Sequence, residues 1–156
     1  MDTNDFRTFN GYMKNEEHLL SASMEDYLEM IYRLSAKTGF TRINELSEAL
    51  SVHPPSATRM VQKLGELNLL LYEKYGVIIL NDEGKKFGEQ LLRRHNTIET
   101  FFRLFSIPEE QILTETEKAE HTLSDETTKC FEEFISFIQD NPEVMNRFKN
   151  YKNKKR

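Results

Sequence analysis

Apolar residues recur at helical spacing from Tyr27 onward. Tyr27, Met30, Ile31 and Leu34 stand at i, i+3, i+4 and i+7, the pattern of a helix with one buried stripe. Ser23 and Asp26 resemble a capping box that opens this helix, and Gly39 closes it. Asp26 and Glu29 lie one turn apart on its flank. Ile43, Leu46 and Leu50 make one face of a short second helix. After the tight connection SVHP, Pro54 and Pro55 suit the first turn of a third, where a missing N–H is harmless. That helix turns Met60, Val61 and Leu64 inward and presents Ser56, Thr58, Arg59, Gln62 and Lys63 on its opposite face. The pair forms a helix-turn-helix pattern, a spacing that many helical hairpins share.

The pattern then changes. LLLYEKYGVIIL is two β-rich runs around a Lys74-Tyr75-Gly76 turn, read as a hairpin. A helix-turn-helix followed by a hairpin is a winged-helix layout; the plainer alternative is a small α+β domain that binds no DNA. Asn81 caps a long helix whose Phe87, Leu91, Ile98, Phe102 and Phe105 form a seam, with His95 between Leu91 and Ile98. So apolar a helix needs more cover than a small domain supplies, which points to helix-to-helix dimerisation, with packing inside the monomer as the alternative. Ser106, Pro108 and Glu109 open a further helix that ends near Leu123. Ser124 caps the next, with Phe131, Phe134, Ile135 and Ile138 at helical spacing, and Pro142 starts a last short helix before a basic tail. Residues 1–22 are polar, show no clear period and are expected to form a loose arm.

Composition narrows the class. The chain has 156 residues, 38% hydrophobic and 30% charged, as a helix-rich folded protein does. No run of 18 apolar residues occurs, and the N-terminal stretch has no basic flank before an apolar run, so neither a membrane span nor a secretory signal is expected. One cysteine, Cys130, suits a reducing, cytoplasmic setting. The net charge of −5 speaks against nucleic acid as a partner, but the charge is segregated. Basic side chains line residues 59–86 and the end RFKNYKNKKR, while carboxylates crowd residues 109–126. A DNA-binding face on an acidic body stays open.

Within TETEKAEHTL, Glu117, Glu120 and His121 fall at i, i+3 and i+4 and share one helical face. Glutamates are common on solvated helices, so this face alone does not decide between a metal site and a plain surface. The dinuclear oxidases built on helical bundles repeat Glu-x-x-His, whereas Lys118 stands three residues before His121. A dinuclear metalloenzyme is therefore disfavoured.

From Ser23 to about Ile138 the chain resembles the manganese transport regulator branch of the diphtheria toxin repressor family. SMEDYLEMIY, VHPPSATRMVQKL, YEKYG, GKKFG, RRH and E-x-x-E-H-x-L-S occur in that family's order, at closely matching separations. The resemblance implies a mainly α fold with a small β-hairpin, a winged helix-turn-helix followed by a helical dimerisation and metal-binding domain. The divisions expected are an arm at 1–22, the winged helix at 23–81, the helical domain at 82–141, and a short helix with a basic tail at 142–156. It further implies a cytoplasmic homodimer, not an enzyme, that represses manganese-uptake genes by binding palindromic double-stranded operator DNA, with neither a membrane nor a small organic molecule as partner.

The six family ligand positions are filled by Asp26, Glu29, His95, Glu117, Glu120 and His121. The resemblance implies two Mn²⁺ ions per subunit, with Glu117 and Glu120 able to bridge them. Iron-responsive relatives carry methionine and cysteine where Asp26 and Glu117 stand, which favours Mn²⁺ and leaves Fe²⁺, or no metal, as the alternatives. A hard set of carboxylates and imidazoles without thiolate agrees with that choice. Ser56, Thr58, Arg59, Gln62 and Lys63 are the expected DNA contacts of the recognition helix, with Lys74 and Tyr75 at the wing tip as phosphate contacts. The family often has a small hydroxyl residue where Pro55 stands, which puts a contact at that position in doubt.

Overall fold

A computed structural model of the chain describes residues 20–154, except for the side chain of Lys74. Of the arm expected over residues 1–22, residues 1–19 lie outside that range, as do the final two basic residues; residues 20–22 are ordered into the first helix and its cap. Two compact units divide after Gly88.

In the first unit, helix α1 spans Ala22–Ser35. Its cap is Ser21, whose Oγ accepts the Met24 N–H at 3.3 Å, so Ser23 lies inside the first turn instead of capping it. Leu20 is already buried ahead of that cap. The buried stripe runs through Tyr27, Leu28, Ile31 and Ser35, and Met30 and Leu34 are only half-buried. The stripe is thus rotated toward Leu28 and carries Glu29 into the buried set. Strand β1 (Thr41–Arg42) leads directly into helix α2 (Ile43–Ala49), and helix α3 covers Pro54–Glu66. Strands β2 (Leu70–Tyr72) and β3 (Val77–Leu80) complete an antiparallel sheet of order β1-β3-β2. The outer strand pairs Thr41 with Ile78 and Arg42 with Val77. Two residues are too few to show alternation, so periodicity does not reveal β1. Leu28, Ile31, Leu46, Val61, Leu64 and Ile78 are fully buried and form the core between helices and sheet.

Helix α4 spans Asp82–Leu104 and begins in the first unit. The Asn81 Oδ1 accepts the Gly84 N–H at 2.8 Å and caps it. Gly84 and Gly88, one turn apart, let this helix press closely on its neighbours. A Cβ on Gly84 would stand 1.9 Å from the Leu69 carbonyl oxygen, and one on Gly88 2.6 Å from the Tyr32 Cβ.

The second unit contains the rest of α4, then α5 (Glu109–Glu120), α6 (Asp125–Asp140) and α7 (Pro142–Lys154). Ser106 does not cap α5. It sits in the left-handed region at φ 56°, with its N–H on the Arg103 carbonyl, and Pro108 takes the cap position. Ser124 does cap α6, accepting the Thr127 N–H at 3.3 Å. The basic end is helical as far as Lys154, longer than the short helix expected.

Phe101 stacks on Phe131 with ring centres 4.0 Å apart, and Phe105 meets Phe134 and Phe148. Phe105 is therefore packed by α6 and α7 of its own chain. Lys152 Nζ donates to the Phe105 carbonyl oxygen at 2.8 Å, neutralising the end of α4. No helix among the described residues is long and apolar enough to cross a membrane.

Candidate functional site

The first unit presents a polar helix face and a raised loop. Ala57, Val61 and Leu64 anchor α3 in the core. The anchoring leaves Ser56, Arg59, Gln62 and Lys63 exposed, with Thr58 half-buried beside them. Pro54 and Pro55 have no N–H to offer, and the N–H groups of Ser56 and Ala57 both reach the His53 carbonyl. The backbone of this helix start therefore lacks the donors that usually serve an anion there. At the wing tip, Tyr75 is 91% exposed and adopts φ 63°. Arg42 holds the loop from below, its Nη1 donating to the Tyr75 carbonyl oxygen at 3.3 Å. Arg42 was not singled out from sequence, because only the pairing of β1 with β3 brings it to the wing. The side chain of Lys74 falls outside the described residues.

The same unit carries Asp26 and Glu29 one turn apart on α1. Glu29 is buried, and its Oε1 accepts from Arg33 Nε at 2.9 Å and Nη2 at 2.5 Å. Arg33, four residues on, thus fixes the orientation of that carboxylate. The i, i+4 spacing is the signal that would have found it.

The second unit gathers the other four candidates. His95 emerges from the middle of α4 between the buried Leu91 and Ile98. Glu117 and Glu120 stand on the last turn of α5, and His121 is its C-cap residue, outside the helix that was expected to run on to Leu123. Glu120 is only 2% exposed and His95 only 4%. His95 Nδ1 lies 2.9 Å from Glu120 Oε2 and 3.6 Å from Glu117 Oε1, and His121 Nε2 lies 3.6 Å from Glu120 Oε1. Glu117, Glu120 and His121 each bring a ligand atom to within 4.8 Å of the others.

A carboxylate this deeply buried is unfavourable unless opposite charge or hydrogen bonds surround it. Here both oxygens of Glu120 face imidazole nitrogens. Carboxylate oxygens and imidazoles without thiolate are the donors that suit Mn²⁺, Fe²⁺ or Zn²⁺, so the residues fit a divalent cation.

Away from this cluster, Arg93 is paired with Glu132 on α6, Nε donating to Oε1 at 2.6 Å, and Thr97 adds a bond of 3.1 Å to the same oxygen. The hydrogen bond from Arg93, opposed in part by burial, holds the Glu132 carboxyl below its ordinary range.

Family models account for most of the chain. Residues 19–78 match the iron dependent repressor N-terminal DNA binding domain, and residues 81–149 match the iron dependent repressor metal binding and dimerisation domain. The chain belongs to the iron-dependent repressor family. This is the family that the sequence motifs resemble, one of DNA-binding regulators and not of enzymes.

Within the family, the chain is 41% identical over 125 residues to the HTH-type transcriptional regulator MntR of Bacillus pumilus, covering 80% of this chain and 87% of that one. It is 40% identical over 122 residues to the protein of the same name from Bacillus velezensis, covering 78% and 86%. Among solved structures, the manganese regulator SloR is similar with a TM-score of 0.64 at 31% identity, covering 73% of this chain. The chain spans about half, 54%, of the length of that solved protein.

Proposed function

We propose that this chain is a Mn²⁺-responsive repressor of manganese-uptake genes that acts in the cytoplasm as a homodimer on palindromic operators. The observation that carries the metal response is the buried Glu120 carboxylate between His95 and His121, in a domain whose family binds metal and dimerises. Similarity to a manganese regulator, and carboxylates at both Asp26 and Glu117, favour Mn²⁺ over Fe²⁺.

The loaded site takes Asp26 and Glu29 from α1 together with His95, Glu117, Glu120 and His121, and holds two ions. Two divalent ions supply +4 against four carboxylates that would otherwise repel one another. Arg33 holds the Glu29 carboxylate in place through Oε1. His95 and His121 would offer imidazole nitrogens to the ions. Coupling α1 to the dimerising unit fixes the two recognition helices about 34–36 Å apart, one turn of DNA. Ser56, Thr58, Arg59, Gln62 and Lys63 then meet the major groove, and Lys74 and Tyr75 meet phosphates.

The test is operator binding at one fixed salt concentration, in chelator and with Mn²⁺, Fe²⁺ or Zn²⁺. Binding should tighten with Mn²⁺. Equal affinity in chelator and in every metal would reject the switch, and a response to Fe²⁺ alone would reassign the ion.

A further inference from the structure

Thr116 belongs to none of the roles described so far. It stands on α5 one turn before Glu120 and directly before Glu117. Ile112, Thr116 and Glu120 form the buried stripe of that helix, and Thr116 is 0% exposed. Its Oγ1 meets no hydrogen-bond partner among the described residues. The other buried threonine hydroxyls are engaged: Thr41 with Glu45, Thr97 with the Arg93 carbonyl, Thr128 with the Ser124 carbonyl. A helical threonine ordinarily bonds to the carbonyl four residues back, and Thr116 does not.

A buried hydroxyl without a partner is unfavourable, and valine would fill the same space without that penalty. The position also has a direction. Residues four apart on a helix lie on one face, with side chains leaning toward the N-terminus, so Glu120 leans back over Thr116. Were His95 and His121 to take up an ion, Glu120 would exchange its present contacts with them.

We propose that Thr116 is a positioning residue for the metal centre: in the loaded protein its hydroxyl donates to the Glu120 carboxylate, fixing which lone pairs face the ion. Such outer hydrogen bonds orient ligating carboxylates, and their loss typically weakens metal binding 10–100-fold. This rests on the metal-responsive reading given above.

The experiment compares the full-length wild type with Thr116→Val and Thr116→Ser. Mn²⁺ affinity is measured by calorimetry, the Mn²⁺ environment by electron paramagnetic resonance, and unfolding in chelator by thermal melts. Thr116→Val should bind Mn²⁺ 10–100-fold more weakly with an altered spectrum, yet melt in chelator no lower than wild type. Thr116→Ser should restore affinity and spectrum. Should Thr116→Val match wild type in affinity and spectrum while wild type binds Mn²⁺, Thr116 is only a packing residue and the inference fails alone. Should wild type itself bind no Mn²⁺, the inference and the metal-responsive reading fail together.

Discussion

Tyr75 combines two features that a folded chain does not need for its own stability. Its φ of 63° places a bulky side chain in the left-handed region, and its ring is almost wholly exposed. A non-glycine residue pays about 1–2 kcal/mol there. Glycine would remove that strain, though its freer unfolded chain takes back about 0.4–1 kcal/mol. Tyr75→Gly should therefore melt no lower than wild type, while operator affinity falls. Tyr75→Phe isolates the hydroxyl: hydrogen bonds to charged groups contribute about 1.5–3 kcal/mol, so loss of a phosphate contact should weaken binding roughly tenfold or more. Operator titrations and thermal melts on the same preparations check both, and unchanged affinity in Tyr75→Phe removes the phosphate contact. The turn itself is legible in Lys74-Tyr75-Gly76, but its handedness is not, because tyrosine rarely adopts it. Nor is the orphaned Thr116 hydroxyl, since burial and pairing arise only in three dimensions.

At the scale of the elements, the sequence shows where helices lie better than how they begin and what they touch. Serines are expected at three helix starts, yet Ser21 and not Ser23 caps α1, Pro108 displaces Ser106 at α5, and only Ser124 caps where expected. Several polar residues compete at such boundaries, and the packing of the first turn selects among them. The apolar seam of α4 is visible as a period, but a period does not name the partner, and Phe105 turns out to pack against α6 and α7. The spaced glycines of GKKFG are visible as a motif, and the structure supplies their reason. Gly88→Ala pushes a Cβ to 2.6 Å from Tyr32, a contact that side-chain movement can partly relieve. Gly84→Ala drives one to 1.9 Å from a backbone carbonyl, which can yield only if the helix shifts. Overpacking of this kind typically destabilises by about 1–3 kcal/mol, occasionally more. Denaturant melts should place both below wild type, Gly84→Ala the lower of the two. A reversed order would mean that the backbone there moves freely. The Arg93–Glu132 pair joins α4 to α6 and gives a pH signature. Because the Glu132 pKa lies below its usual 4.5, its contribution is complete above that value and is lost as pH falls through the depressed pKa. The stability difference between wild type and Glu132→Gln should be constant near neutrality and vanish in acid. A difference that persists unchanged to the lowest pH would show that the charge plays no part.

On the scale of the whole molecule, an acidic protein binds an acidic polymer only if charge is partitioned and its use is conditional. The exposed face of α3 carries Arg59 and Lys63, whereas the second unit keeps Glu117 and Glu120 among imidazoles. Metal binding then acts as a linkage: an ion that binds only the folded state stabilises it by about 2.7 kcal/mol at 100 times its dissociation constant. For a chain of this length each kcal/mol shifts a melting midpoint by about 2–4 °C. Saturating Mn²⁺ should therefore raise the midpoint by roughly 5–11 °C over chelator. Glu120 is the sharpest place to cut this linkage, because both its oxygens face imidazole nitrogens. In chelator, Glu120→Ala exchanges a buried carboxylate for a small cavity, two effects of opposite sign, and the dimer should remain folded. With Mn²⁺ the same variant should show neither the rise in midpoint nor the tightening on operator. Thermal melts, sedimentation and operator titrations on one preparation separate the outcomes. A folded dimer that keeps its full Mn²⁺ shift would mean that the ion is held elsewhere, and that the buried carboxylate serves only to orient His95.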